Sequence, residues 1–358
     1  IIHFNSASAL TIKAPVNISV INSSRDIVLN CKGIVSLYGG NGIDNEFYVD
    51  LDGDPAICAH NNTVVLNGAG TLKLYGGDGG NTYGQEFYNI DPAGNGGTAI
   101  EVKNLVINVG GIYIKGGAGG NGGVGTQGSN GVDGISAGSN GTDGGNGGYG
   151  GDGGSAGMGV WVLGNYCAIY TSNIQMYGGV AGNGGLGGRG GNGGNGADGS
   201  RYGNGGNGGD AGNGGMGGDY GTGMIAFNSY DINKIKYYNS AGGEISLPTN
   251  LKTMFETWSS DGMPGVGGNP GTPGKGGKGG SGFLGIGAGS NGYNGSPGIQ
   301  GGSGGNPNPH IYAMTISASI VIRDTTEDYN DNDNLSIVKY IIRRIGGERA
   351  YELYGIGL

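Results

Sequence analysis

Glycine returns every third residue through three long tracts, 116–157, 179–221 and 262–305, and no other feature limits the fold of this chain as tightly. The first tract runs from Gly116 to Gly134, slips at Ile135-Ser136-Ala137 and resumes from Gly138 to Gly153. The second is strict from Gly184 to Gly199, breaks at Ser200-Arg201-Tyr202 and continues from Gly203 to Gly221. The third runs from Gly262 to Gly280, breaks around Phe283-Leu284-Gly285-Ile286 and runs again from Gly289 to Gly304. A helix interior loses about 1 kcal/mol at each glycine. With 92 glycines in 358 residues, an ordinary helical protein is excluded.

A period of three matches the extended left-handed helix with three residues per turn. That conformation has no internal hydrogen bonds, so its backbone groups need partners on neighbouring segments. Glycine at every third position leaves one face bare, which lets backbones approach each other. An arm such as 116–134 would reach about 55–60 Å at ~3.1 Å per residue. Each tract therefore reads as a hairpin of two arms around a non-glycine apex, and the hairpins read as a packed bundle. A flexible linker would not keep this phase. Collagen would need far more proline, whereas the first two tracts have none.

Between the tracts the chain switches to short runs rich in Val, Ile and Tyr, which are strand signals. Ile34-Val-Ser-Leu-Tyr38 matches Thr71-Leu-Lys-Leu-Tyr75 and Asn173-Ile-Gln-Met-Tyr177, each followed by Gly-Gly, with Gly111-Ile-Tyr-Ile-Lys115 as a variant. Ala56-Ile-Cys-Ala59, Thr98-Ala-Ile-Glu-Val102, Met158-Gly-Val-Trp-Val162 and Met224-Ile-Ala-Phe227 re-enter strands after each excursion. The shorter excursions repeat too: Glu46-Phe47-Tyr48 matches Glu86-Phe87-Tyr88, and Asp54-Pro55-Ala56 matches Asp91-Pro92-Ala93. Such repetition marks stacked architectures, in which insertions emerge on one face.

The expected fold class is all-β: β-solenoid-like stacked coils that eject their glycine-rich loops into a bundle, plus a short C-terminal helix. A β-sandwich with long inserted loops is the alternative. The expected units are 1–115, a base with two short excursions; 116–309, three glycine hairpins interleaved with coils; and 310–358, a closing strand and helical cap. The helix is expected over 335–345, where Leu335, Val338, Ile341, Ile342 and Ile345 share one face. A shorter helix is expected over 251–258.

Chemistry is sparse. A formal net charge of −9 argues against a nucleic-acid partner, and no apolar run is long enough for membrane insertion. GxGxxG matches follow from composition alone, and Gly274-Lys275-Gly276 lacks the Ser or Thr of a phosphate-binding loop. Cys31, Cys58 and Cys167 are read as buried, reduced thiols, and His3, His60 and His310 as surface or packing residues without metal-ligand spacing. Asp50, Asp52 and Asp54 could approach a calcium ion but lack the twelve-residue loop pattern, so a solvated turn is expected. No repeated strand offers paired acids, and Glu101 is nearly alone. The expectation is therefore a chain with no catalytic residues, no metal and no cofactor, hence not an enzyme.

The apices remain. If the arms bundle, Ile135, Ser136, Ala137, Ser200, Arg201, Tyr202, Phe283, Leu284 and Ile286 gather at one distal end as candidate receptor-binding residues. In its G-x-x arms, as in Gly182 to Gly196, and in these breaks the chain resembles the tip adhesins of T-even-type phage long tail fibres, over roughly residues 116–305. The resemblance implies a polyglycine II helix sandwich and distal loops that bind a bacterial surface receptor, an outer-membrane protein or glycan. It also implies a virion or extracellular location, with a fibre or neighbouring structural subunit at the solenoid end. The interleaved strands and terminal helix depart from the simplest form of that family. The second functional expectation is a structural subunit of a virion surface or extracellular filament, with the bundle as spacer or polymer contact.

Overall fold

The computed structural model describes residues 1–5, 9–44, 51–83, 92–163, 166–169, 173–198, 203–221, 223–226, 235–238, 244–245, 259–260, 262–281, 288–304, 311–312 and 319–323. The expected helices at 251–258 and 335–345 lie outside these residues, as do the apex residues 200–202 and 283–286.

The described chain is all-β. Its strands form one curled sheet in which every pairing is parallel except that of Ile235–Tyr238 with Glu244–Ile245. Runs of Val, Ile and Leu suit strands buried on both sides, and their register stacks like on like. Leu29, Leu66 and Ile107 form one row, Val35, Leu72, Ile112 and Ile174 a second, and Leu37, Leu74, Ile114 and Met176 a third. All of these side chains are buried. Each Leu or Ile withdrawn from water contributes about 1.5–3 kcal/mol, so these rows are the core. An asparagine ladder runs inside the stack: Asn108 Nδ2 donates to Asn67 Oδ1 at 2.8 Å, and Asn67 Nδ2 to Asn30 Oδ1 at 3.2 Å. The longest strands, Ile57–Tyr75 and Ile100–Lys115, run side by side with register shifts between Ala59 and Thr63 and between Gly68 and Thr71. Gly68 has a φ of 115°, which a side chain would strain.

The glycine arms continue the strand register. Ile112 pairs with Ile174, and the same 62-residue step separates Asn121 from Asn183, whose N–H donates to Asn121 Oδ1. Met176 pairs with Ser259, and the corresponding 83-residue step joins Asn183 to Val266. Outgoing arms 39–44, 76–83, 116–134, 178–198 and 262–281 thus lie in one layer, and returning arms 51–56, 92–99, 140–157, 203–221 and 288–304 in a second.

Within the long arms a triplet has three distinct roles. Gly184 N–H donates to Val266 O of the next arm in its layer, at 2.9 Å; Gly185 N–H donates across the layers to Gly151 O, at 2.8 Å. Leu186 carries the outward side chain, and its carbonyl accepts from Gly125 N–H at 2.7 Å. Two positions per triplet therefore face other arms and are held mostly by glycine, with Ala181 and Ala211 among the exceptions, which corrects the expectation of one bare face: an interior arm is approached from its own layer and from the other. A Cβ on Gly185 would sit 1.8 Å from Gly123 O. The outward residue's own N–H is served by side chains, as in the ladder from Asp44 Oδ1 to Asn81 N, Asn81 Oδ1 to Asn121 N, Asn121 Oδ1 to Asn183 N and Asn183 Oδ1 to Val266 N.

The lattice has a finished edge. In arm 262–281 the in-layer donor position is occupied by Pro264, Pro270 and Pro273, which have no N–H to offer, and no later arm of that layer follows among the described residues. Gly276 and Gly279 hold the same position farther out, and their N–H groups donate to Asn294 Oδ1 and Asn291 Oδ1 of the returning arm. Proline and folded-back side chains blunt an edge that would otherwise recruit another chain.

Candidate functional site

The outer end of the arms is the best-defined candidate. The apex of the first long hairpin is a tight turn: Ser139 N–H donates to Ser136 O at 2.8 Å, and Ser139 Oγ donates to the same oxygen at 2.7 Å. Gly138 has a φ of 78°. Its glycine serves the turn, and the lattice contacts resume directly after it, with Ser139 O accepting from Ala197 N–H and Gly141 N–H donating to Asn204 O. Just below, Val132 and Thr142 clamp the arms through Thr142 N–H to Val132 O and Val132 N–H to Thr142 Oγ1.

Ile135, Ser136 and Ala137 are all exposed, and Ile135 is 95% accessible. The other named apex residues, Ser200, Arg201, Tyr202, Phe283, Leu284 and Ile286, lie outside the described residues. Their flanks do not. Ala197 N–H donates to Ser139 O, Gly203 N–H to Ala197 O, Gly280 N–H to Gly203 O and Gly289 N–H to Gly280 O, at 2.8–3.1 Å. One hydrogen-bonded chain crosses the ends of three hairpins.

The two outer faces differ in charge. The outgoing layer mixes Arg189, Lys275 and Lys278 with Asp44, Asp78, Asp133 and Asp198, whereas the returning layer carries Asp52, Asp54, Asp143, Asp152, Asp210 and Asp219 and no Lys or Arg among its described residues. Asp52, named above as a possible calcium ligand, has Oδ1 engaged by Asn95 N–H at 2.7 Å; Asp50 lies outside the described residues.

Where strands become arms, Tyr38, Tyr75, Tyr113 and Tyr177 form a stack beside a groove of about 500 Å³ that also touches Lys13, Asp78 and Lys115. Tyr75 has its phenol pushed up to about 12, by burial first and then by the neighbouring Tyr38 and Tyr113 hydroxyls. Burial and Tyr177 likewise raise Tyr113. The Tyr38 and Tyr75 rings stack at 4.3 Å, the next two pairs are tilted by 43° and 41°, and Lys13 Nζ lies 5.2 Å from the Tyr38 centroid at the end of the row.

A second constellation escaped the sequence reading. Cys58 and His60 are two residues apart on one strand, so alternation directs both to the same face. Parallel register sets Glu101 directly opposite Cys58. His60 Nε2 lies 2.6 Å from Glu101 Oε2 and 3.6 Å from Cys58 Sγ. The expectations of an isolated histidine and a lone Glu101 are both corrected. So is the expectation that each cysteine is buried: Cys31 is, but Cys58 is only half-buried. Burial, and then the charges of Glu101 and Asp54, push the Cys58 thiol up, and burial raises Cys31. Cys167 lies in a strand whose side chains are not described. The signal was present in the aligned re-entry segments, where matching Ile57 to Ile100 already brings Cys58 against Glu101.

No family model matches the chain, and no curated protein matches it. Among solved structures it is similar to the nine-helix polyproline type II bundle of the springtail antifreeze protein from Granisotoma rainieri, at 27% identity over 47% of this chain and 93% of that one, with a TM-score of 0.07, at which the two do not superpose.

Proposed function

We propose that this chain is a receptor-recognition adhesin: a β-solenoid whose coils eject polyglycine II hairpins, with recognition carried by the hairpin ends. The fold reading is supported by the three-residue step of the contacts, in which Gly119, Gly122, Gly125, Gly128, Gly131 and Gly134 donate in turn to Val180, Asn183, Leu186, Arg189, Asn192 and Asn195. Helices of this type lack internal hydrogen bonds and are held by such lateral ones. The functional reading rests on the hydrogen-bonded chain from Ser139 to Gly289 across the distal ends, beside the almost wholly exposed Ile135. The Ile135–Ser139 turn, held by its own hydrogen bonds, would lose little conformational entropy on docking, which favours affinity from a small contact. The resemblance to phage fibre tips suggests a tail-fibre setting, a bacterial outer-membrane protein or glycan as receptor, and a fibre subunit at the opposite end.

The structural-subunit reading would use the bundle as a polymer contact. Pro264, Pro270 and Pro273 weigh against it, because they withdraw donors from the edge along which another bundle would add. Replacing 135–137, 200–202 and 283–286 by Gly-Ser turns tests the choice. Loss of cell attachment by a folded, normally assembled protein supports the adhesin; undiminished attachment, or loss of polymerisation instead, overturns it.

A further inference from the structure

We infer that Cys58, His60 and Glu101 form a transition-metal site of the zinc type, independent of the distal turns. The three donor atoms lie within 4.8 Å of one another. Strand alternation and parallel register fix all three Cα positions, so the site is built on sheet and not on loop. The donor set selects the ion: a thiolate with an imidazole nitrogen suits zinc, whereas calcium and magnesium take oxygen ligands.

The geometry is close to what such an ion needs. With Zn–S of about 2.3 Å and Zn–N or Zn–O of about 2.0–2.1 Å, tetrahedral donors stand roughly 3.6 Å apart for S and N and roughly 3.3 Å for N and O. Cys58 Sγ and His60 Nε2 are already 3.6 Å apart. His60 Nε2 and Glu101 Oε2, at 2.6 Å, must part by less than 1 Å. The His60 side chain is 50% exposed and can rotate to do so, while Glu101 at 16% is held. On binding, the Cys58 S–H bond breaks, its proton passes to solvent and an S–metal bond forms; His60 offers the Nε2 lone pair with its proton on Nδ1. Three protein donors leave a fourth position for water or another ligand. That position faces solvent near the groove of about 440 Å³ lined by His60, Asn61, Lys103, Trp161 and Leu163. Trp161 follows Glu101 in the same register row and walls the site on that side.

The test uses the full chain freed of metal by chelation. Zn²⁺ is titrated against a chromogenic chelator, and Co²⁺ serves as an absorption probe of thiolate ligation. The expected result is one ion per chain, a thiolate-to-cobalt band that vanishes in Cys58→Ser and persists in Cys31→Ser, and affinity lowered at least tenfold in His60→Gln and Glu101→Gln. In the unmutated chain, Zn²⁺ should also slow alkylation of Cys58, a readout that does not depend on the variants folding. Binding without a thiolate band, affinities within threefold in all three ligand variants, or unchanged Cys58 alkylation would overturn the assignment.

Discussion

The rings of Tyr75 and Tyr113 lie 5.5 Å apart although the two residues are not register partners: Tyr75 pairs with Lys115, and Tyr113 with Lys73. The variant coil has lysine where the others have tyrosine, and it supplies its ring from two residues earlier on the same face. Diagonal neighbours are within reach of aromatic side chains, so the row continues to Tyr177, at 5.3 Å.

This row gives an alkaline signature. Tyr75 ionises at about 12 in the folded chain against 10.0 for a free phenol. Its contribution to stability is fully present below the unfolded value and is lost as pH rises through the folded one. Subtracting the ultraviolet titration of Tyr75→Phe from that of the unmutated chain should leave a step centred near the higher value. Denaturant midpoints should fall across the same interval, and less so in the variant. A difference step centred near the free-phenol value would contradict this.

Interior and edge glycines should separate cleanly. Gly185→Ala sets a methyl 1.8 Å from Gly123 O and should cost at least about 1–3 kcal/mol in denaturant unfolding. At Gly302 the nearest atom to an added Cβ is Met216 Cε, at 4.0 Å. Gly302→Ala should be neutral or stabilising by up to about 1 kcal/mol, through the lower entropy of the unfolded chain.

The side-chain ladders should tolerate Asp in place of Asn but not Ala. Asn183 Oδ1 accepts from Val266 N–H at 2.9 Å, and Asp143 and Asp210 do the same for Asn207 and Ser296. Asn183→Ala should cost about 0.5–1.5 kcal/mol, read as a lower thermal midpoint, while Asn183→Asp should stay close to the unmutated chain.

Changing Pro264, Pro270 and Pro273 together to Gly restores three in-layer donors at the finished edge. Concentration-dependent self-association in sedimentation velocity is expected from the variant and not from the parent chain. A variant that sediments like the parent would mean that proline does not guard this edge.

Much of this was legible because the chain repeats itself. Tyr38, Tyr75 and Tyr177 aligned by eye, and the register steps that join their strands also join their arms. The second glycine of each triplet was harder to assign a role, because a period of three describes a single arm, and only its neighbours reveal that two sides are occupied. Tyr113 was invisible for a related reason: an alignment by position does not register a ring displaced by two residues on the same face. His60 and Glu101 are 41 residues apart, with a whole hairpin between them. Ligand spacing counted along the chain misses such a pair, whereas spacing counted across coils finds it.

Short of the proline-bearing edge, each long hairpin presents donors forward and acceptors backward at the same three-residue interval, so its two sides are interchangeable with those of its neighbours. Recombination that adds or removes one complete strand-and-hairpin unit would therefore leave matching surfaces at the new junction, widening or narrowing the molecule without redesign of the units on either side.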